Sequence, residues 1–483
     1  MIDKLILQNV NATYDQIKCD KGIAAELKEY FTFKVPGYQF HPLYKQKVWS
    51  GDINLFTIKN NQLYAGLRHH VESFCRERDY ELEYGFDNSS FEYSLVEMKQ
   101  FIATLKLPVE PYDFQISTVT KCIRDGRRLV LSPTSSGKSL MIYILMRYYG
   151  LKTLIVAPTV PLVHQMAGDF KDYGFDSDKH CHKIYQGQEQ ETKKPVTIST
   201  WQSIYKNDAE YFEQFDVIMV DEVHLATAKC LKGIMEKCTD TFIRFGWTGT
   251  LDDTQTHKLV LEGLFGPVLK EKSTADLIED GVVSPLHIKM ILLKYPEITA
   301  KLLNKSTYED EIDFLMANAA RQRFIKNLAE SLTGNTLILF RYIDKQGKPL
   351  YDDIKRSVKN RNVYYVDGSV SGDDRNDLRA IIEREEDSIT VGSYGSISTG
   401  TNIRRIHNII LASPYKGQIK ILQSIGRGLR LHETKTHLTV YDIGDDLQYK
   451  NHKNHTLKHF IIRLKIYLKE NFDPKIYKVT TKG

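Results

Sequence analysis

Short apolar runs that break off into small or polar residues recur through this chain, and the intervals between them carry helical periodicity. The first series comprises residues 129–131, 153–158, 196–200, 215–220 and 245–250, with helical patterns over 140–149 and 162–172 between them. Continuous Val/Ile/Leu runs alternating with helices predict a parallel sheet covered on both faces, and ligands of such sheets sit at the carboxyl ends of the strands. A second series follows: 286–294, 336–340, 363–366, 389–393, 408–411 and 438–442. The charged stretch 301–314 reads as peripheral. A closing helix over 455–471 turns Leu457, Phe460, Ile461, Leu464, Tyr467 and Leu468 to one side, to dock on the second sheet, and Lys458, Arg463, Lys465 and Lys469 to the other. Ahead of all this, strands at 5–7, 31–33 and 53–58 and helices at 24–30 and 66–78 predict a small α+β domain. The fold class is therefore α/β, with two tandem parallel-sheet domains (96–282 and 283–483) preceded by an α+β domain (1–95).

Composition narrows the class. Of 483 residues, 42% are hydrophobic and 26% charged, which suits a folded globular chain. A net charge of +5 leaves any nucleic-acid partner to be argued from local patches. No run of about 18 apolar residues predicts a membrane span, and the first residues lack a signal-peptide core. The six cysteines form no C-x-x-C pair. They fit a reducing, cytoplasmic location rather than a disulfide framework or a structural zinc site.

The chemistry gathers at the strand exits. After 129–131 comes Ser132-Pro133-Thr134-Ser135-Ser136-Gly137-Lys138-Ser139, then a helix: the layout of a phosphate-binding loop. Small side chains at Thr134, Ser135, Ser136 and Gly137 let backbone N–H groups close on phosphate oxygens, and the helix N-terminus adds partial positive charge. Lys138 brings a full charge to the β/γ-phosphates, and the Ser139 hydroxyl suits Mg²⁺. Upstream, Tyr112 can stack on a base and Gln115 can pair with an adenine edge. The strand at 215–220 runs into Asp221-Glu222. Asp221 can hold Mg²⁺ through its water shell, and Glu222 can accept a proton from an attacking water. His224 reads as part of the phosphate-sensing apparatus rather than a metal ligand. In the second series, Gln423, Gly426, Arg427 and Arg430 lie in one helical register, and two guanidiniums three apart can neutralise charge on a γ-phosphate. The stretch 396–402, with Gly400, offers a small-residue exit for phosphate. Near the amino end, residues 38–51 interleave aromatics with bases. Tyr44, Lys45, Lys47 and Trp49 read either as a DNA grip or, with Phe40, as core residues with solvated lysines.

Assembled in order, these stretches resemble the superfamily 2 helicases. The matches are Tyr112/Gln115, Gly137-Lys138-Ser139, Ala157-Pro158-Thr159, Ser199-Thr200-Trp201-Gln202, Asp221-Glu222-Val223-His224, Thr248-Gly249-Thr250, Ser398-Thr399-Gly400 and Gln423-x-x-Gly-Arg-x-x-Arg430. Ser132 stands where relatives have Ala or Gly, and Asn402 where they often have Asp. The resemblance, closest to the phage recombination helicases, implies two RecA-like domains that bind ATP with Mg²⁺ and move along DNA. It implies unwinding of branched DNA, D-loops and R-loops, hence contact with RNA in the last case. Thr159, Trp201, Gln202, Thr248 and Ser393 would then line the DNA path, and 38–51 would grip DNA. An RNA helicase and a duplex translocase without strand separation are the alternatives. The expected setting is a monomer, away from membranes, in the cytoplasm: for a phage protein, that of the host.

Overall fold

The computed structural model describes residues 4–481 apart from 36, 90, 186, 226–227, 252–254, 371, 399–404, 416 and 434. The side chains of 228, 255–257, 372–376, 379, 398, 418–420, 423 and 427 also lie outside the described set. The chain divides into two compact units, Met1–Ser132 with Gly137–Glu271, and Lys272–Gly483 with Pro133–Ser136. No helix among the described residues is long and apolar enough to cross a membrane.

The first unit holds two sheets and a ribbon. Its amino-terminal sheet is mixed, in the order Gln62–Tyr64, Tyr14–Lys18, Lys4–Asn9, Glu81–Tyr84. Helices Lys21–Tyr30 and Arg68–Glu77 supply Leu27, Val71 and Phe74 to its core. A two-stranded ribbon, Thr32–Lys34 with Asp52–Asn54, carries residues 35–51 between its strands. The strand expected over 53–58 stops at Asn54, and Leu55 and Phe56 turn inward as buried residues.

The second sheet of this unit has seven parallel strands in the order Val268–Leu269, Arg127–Leu131, Ile243–Thr248, Val217–Val220, Thr153–Ala157, Val196–Thr200, Cys181–Ile184. Its central strands are buried along their whole length, which is why they read as unbroken apolar runs. The edge strands Cys181–Ile184 and Val268–Leu269 are short, and the sequence pattern did not predict them.

The other unit repeats the architecture: Asn362–Val366, Ser388–Ser393, Thr336–Phe340, Asn408–Leu411, Leu438–Asp446, Leu286–Lys294 and Pro474–Thr480, again all parallel. The strand Pro474–Thr480 is exposed along most of its length and was not anticipated. Two expectations are corrected here. Residues 301–314 are not peripheral: Tyr308–Ala317 is a helix that buries Ile312, Leu315 and Met316. In the same helix the buried Glu311 carboxylate accepts from the backbone N–H groups of His455 and Thr456, each at 2.8 Å. That negative charge caps the positive end of helix His455–Lys469. Arg463 is not on the outer face of that helix but 1% exposed, where it forms a bidentate pair with Asp442. Helical period alone placed it with the lysines; a buried carboxylate on the neighbouring strand recruits it inward.

Candidate active site

The phosphate-loop candidate joins strand Arg127–Leu131 to helix Lys138–Tyr149. Ser135 and Gly137 both take positive φ, 69° and 79°, so the backbone doubles back before the helix starts. A side chain at Gly137 would be strained by that φ, and its Cβ would collide with the Gln115 amide nitrogen. Within the loop, the Ser136 hydroxyl donates to Pro133 O at 2.7 Å. Gln115 is buried and its amide oxygen accepts from Tyr112 N at 2.9 Å. Its side chain therefore ties the start of helix Asp113–Asp125 to the loop. Tyr112 is half exposed and stacks with Phe114. The Ser139 hydroxyl lies 3.0 Å from Tyr173 OH.

Strand Val217–Val220 delivers the carboxylates two strands away from the loop. Asp221 N continues the ladder to Val156 O at 2.8 Å, and Asp221 Oδ1 then accepts from Glu222 N at 2.9 Å. Glu222 adopts φ 47°, a conformation that costs a non-glycine residue about 1–2 kcal/mol. This turn directs its carboxylate at the Lys138 ammonium, with which it forms an ion pair. The other Glu222 oxygen is 3.3 Å from His224 Nδ1. His224 Nδ1 also lies 2.6 Å from the Thr248 hydroxyl, which donates to Thr250 O at 2.7 Å. Burial pushes the Asp221 carboxyl up to about 6, against the pull of Lys138 and with the push of Glu222. Burial also raises Glu222, but Lys138 and His224 more than offset it and hold that carboxyl below its ordinary value. Burial and the Lys138 charge thus push the two carboxyls in opposite directions. Ser139, Asp221 and the helix N-terminus supply the oxygen donors and partial charge that Mg²⁺ and a nucleoside triphosphate would take there.

Thr248, expected on the DNA path, is instead fully buried and engaged by His224 and Thr250. Thr159 and Gln202 line a groove of about 560 Å³ at the carboxyl ends of the first parallel sheet, shared with Gln190 and Ser203. The Thr159 hydroxyl is buried and has no hydrogen-bond partner among the described residues. Trp201 packs against the hydrophobic core of its unit rather than lining that groove. Nearer the amino end, Lys45 and Lys47 are exposed. Tyr44 meets Tyr38 edge-on, and Trp49 meets His41 edge-on while donating Nε1–H to Asp52 O at 3.0 Å.

In the second unit Ser393 lines a groove of about 460 Å³ with Arg341, Tyr394 and Tyr415. Arg341 lies over the rings of Tyr342 and Tyr415. Sequence reasoning missed Arg341 and Gln190. The signal for Arg341 was present, because it is the first residue beyond strand Thr336–Phe340. Helix Gln418–Gly428 leads to Arg430, whose carbonyl accepts from the buried Lys435 ammonium and, at 3.0 Å, from Ser284 Oγ. Lys435 also donates to Gly428 O at 2.6 Å. Gly400 and the side chains of Gln423 and Arg427 lie outside the described residues.

Comparison with known proteins bears on this constellation. Residues 107–253 match the family described as the res subunit of type III restriction enzymes, and residues 6–85 match the amino-terminal domain of the DNA helicase UvsW. The chain is 35% identical over 486 residues to the ATP-dependent DNA helicase uvsW of Enterobacteria phage T4, covering 95% of this chain and 96% of that one. The crystal structure of T4 UvsW superposes with a TM-score of 0.53 at 31% identity, over 99% and 100% of the two chains. Dbp5 of S. cerevisiae, solved with RNA and ADP BeF3, shares the fold at a TM-score of 0.53 and 12% identity, over 80% of this chain and 93% of its own.

Proposed function

The chain belongs to the UvsW family of ATP-dependent DNA helicases, and from that premise we propose that it unwinds and branch-migrates branched DNA. Its substrates in this reading are forks, four-way junctions, D-loops and R-loops, met during recombination, repair and replication. The observation that carries the reading is the link Lys138–Glu222–His224–Thr248, which joins a phosphate loop to a carboxylate turn and to the next strand exit of one sheet. Such a link supports a motor in which occupancy of the phosphate loop is sensed at the strand ends.

The chain is parsed for this purpose as 1–95, 96–282 and 283–483. Lys138 and the loop N–H groups hold the triphosphate of ATP, with Tyr112 and Gln115 on the adenine side. Glu222 takes the proton of the attacking water, Asp221 and Ser139 hold Mg²⁺, and Arg430 with Arg427 stabilises charge on the transferred phosphoryl group, a role worth ~10³–10⁵-fold where a finger is used. Bound Mg²⁺ supplies charge neutralisation and orientation of the phosphates. Thr159, Gln202 and Ser393 contact the DNA backbone, and residues 38–51 grip DNA outside the motor. The enzyme acts as a monomer in the host cytoplasm.

The test is ATPase and unwinding on forks, four-way junctions, R-loops, plain duplex, single-stranded DNA and RNA, with Lys138→Ala alongside. Stimulation and unwinding on branched DNA, abolished in Lys138→Ala while its DNA binding persists, is the expected result. Full ATPase in Lys138→Ala refutes the site, and stimulation by RNA alone refutes the substrate. The restriction-enzyme match over 107–253 favours one rival, a duplex translocase. Triplex displacement without fork unwinding would establish that rival.

A further inference from the structure

The segment between the ribbon strands Thr32–Lys34 and Asp52–Asn54 forms a short turn, Tyr38–Phe40, and a one-turn helix, Pro42–Lys45. Neither contributes a buried residue. Two of the aromatic side chains marked by the sequence are constrained: Tyr44 lies against Tyr38, and Trp49 is pinned by His41 and by its hydrogen bond to Asp52 O. The free apolar surface belongs to the third, Phe40, and to Val48 and Leu43. Phe40 is 74% exposed, Val48 73% and Leu43 44%. Val48 N donates to Leu43 O at 2.9 Å, which sets these two side by side. From Lys34 to Gly51 the chain carries three lysines and no acid, and the first acid beyond, Asp52, pairs with Lys34. Lys45 and Lys47 remain exposed beside the ridge.

Three exposed apolar side chains in one loop add nothing to the core, and folding alone gives no reason to keep them apolar. An apolar ridge flanked by cations fits a partner that offers a flat apolar face beside phosphates. In an intact duplex the base faces are covered by their neighbours; they become accessible where strands separate. We propose that Phe40, supported by Leu43 and Val48, is a wedge that stacks on the base pair exposed at a DNA strand junction, while Lys45 and Lys47 meet the flanking phosphates. The proposal rests on the reading of residues 38–51 as a DNA grip and adds the part of the DNA that is recognised.

The experiment uses the full chain and two DNAs of equal length, a fork with 2-aminopurine at the junction and a blunt duplex. Phe40→Ala should weaken fork binding about tenfold, leave duplex binding within twofold and abolish the change in 2-aminopurine fluorescence. Phe40→Trp should restore both. Because Phe40 is exposed, its thermal unfolding should match the parent. Equal fork affinity for Phe40→Ala and the parent overturns the wedge. So does a Phe40→Ala effect that appears only as a change of oligomeric state in sedimentation, which would assign the ridge to a second copy. Lys45→Gln with Lys47→Gln serves as the separate check on the underlying reading. Fork and duplex binding should both weaken, with a log K against log[salt] slope shallower by nearly 2. No change in that slope removes the DNA grip itself, whereas a lysine effect without a Phe40 effect removes only the wedge.

Discussion

Asp221→Asn should make the protein more stable and less active at the same time, and the size of the first effect can be worked out. Burial lifts the Asp221 carboxyl from its ordinary 3.8 to about 6. A raised carboxyl pKa means that the folded protein disfavours the charged form. Below about pH 4 the carboxyl is protonated in both states and nothing is lost. Between about pH 4 and 6 the unfolded chain gives up the proton that the folded protein keeps, so stability falls across that window and levels off above 6, where the folded protein holds the charge. About two decades in proton affinity at 1.36 kcal/mol each give a penalty of ~3 kcal/mol above pH 6. Asparagine escapes it, because its side chain is nearly isosteric and its oxygen can still accept from Glu222 N. With an unfolding entropy of roughly 2.1 cal/mol/K per residue, a unit of 267 residues gives ~0.56 kcal/mol/K. The variant should then melt about 5 °C higher at pH 7.5. That gain should shrink to a few tenths of a kcal/mol by pH 4. Calorimetry across this range measures it, and ATPase at pH 7.5 should fall to background. A gain that is absent, or the same at pH 4 and pH 7.5, would show that Asp221 does not carry a strained charge.

Lys435→Met removes the ammonium that holds the carbonyls of Gly428 and Arg430. It should lower kcat roughly tenfold with less than a twofold change in KM for ATP, and Lys435→Arg should recover part of it; an unchanged kcat would separate Lys435 from the arginine's function. Arg463→Met leaves Asp442 charged and buried, at a cost of about 3–5 kcal/mol. Combining it with Asp442→Asn should recover most of that loss in denaturant melts, and additive losses would show that the pair is not the source.

The parallel sheets were legible because a strand buried on both faces must be apolar throughout. The chemistry at their ends was legible because a parallel sheet has only one end at which to place it. Besides the edge strands, part of what the sequence concealed shares one cause, polar residues recruited inward by a partner distant in sequence. Arg463, Glu311 and Thr248 each look like solvent-facing residues within their own windows. They are buried because Asp442, the amides of His455 and Thr456, and His224 receive them. At the amino end the local pattern left two readings open. Of the residues that the core reading of 38–51 included, Phe40 is exposed, while Trp49 is tied down.

The amino-terminal sheet is bound to the first parallel sheet closely enough for a single methyl group to test the join. Arg244, buried beside Cys238, reaches Thr13 Oγ1 at 3.0 Å, and Arg127 reaches Ala12 O at 2.5 Å. The hydroxyls of Tyr14 and Tyr64 both donate to Glu236. On helix Gln255–Phe265, Glu262 receives His70 at 3.1 Å. Burial would raise the Glu262 carboxyl, but hydrogen bonds from His69 and His70 bring it down to about 2. At the centre of this contact Gly66 abuts backbone: an added Cβ would collide with Glu262 O and stand 2.6 Å from Gly263 O. No side-chain rotation relieves that overlap, so Gly66→Ala must push the two elements apart, at the ~1–3 kcal/mol usual for overpacking. The helix that would be displaced comes next after strand Ile243–Thr248, whose last residue bonds His224. If residues 38–51 grip DNA as proposed, load on the amino-terminal domain would pass to the first parallel sheet through this join. Gly66→Ala should therefore keep its basal ATPase, melt lower, and lose much of its stimulation by forked DNA. Full stimulation in a variant that melts several degrees lower would show that the join is only structural.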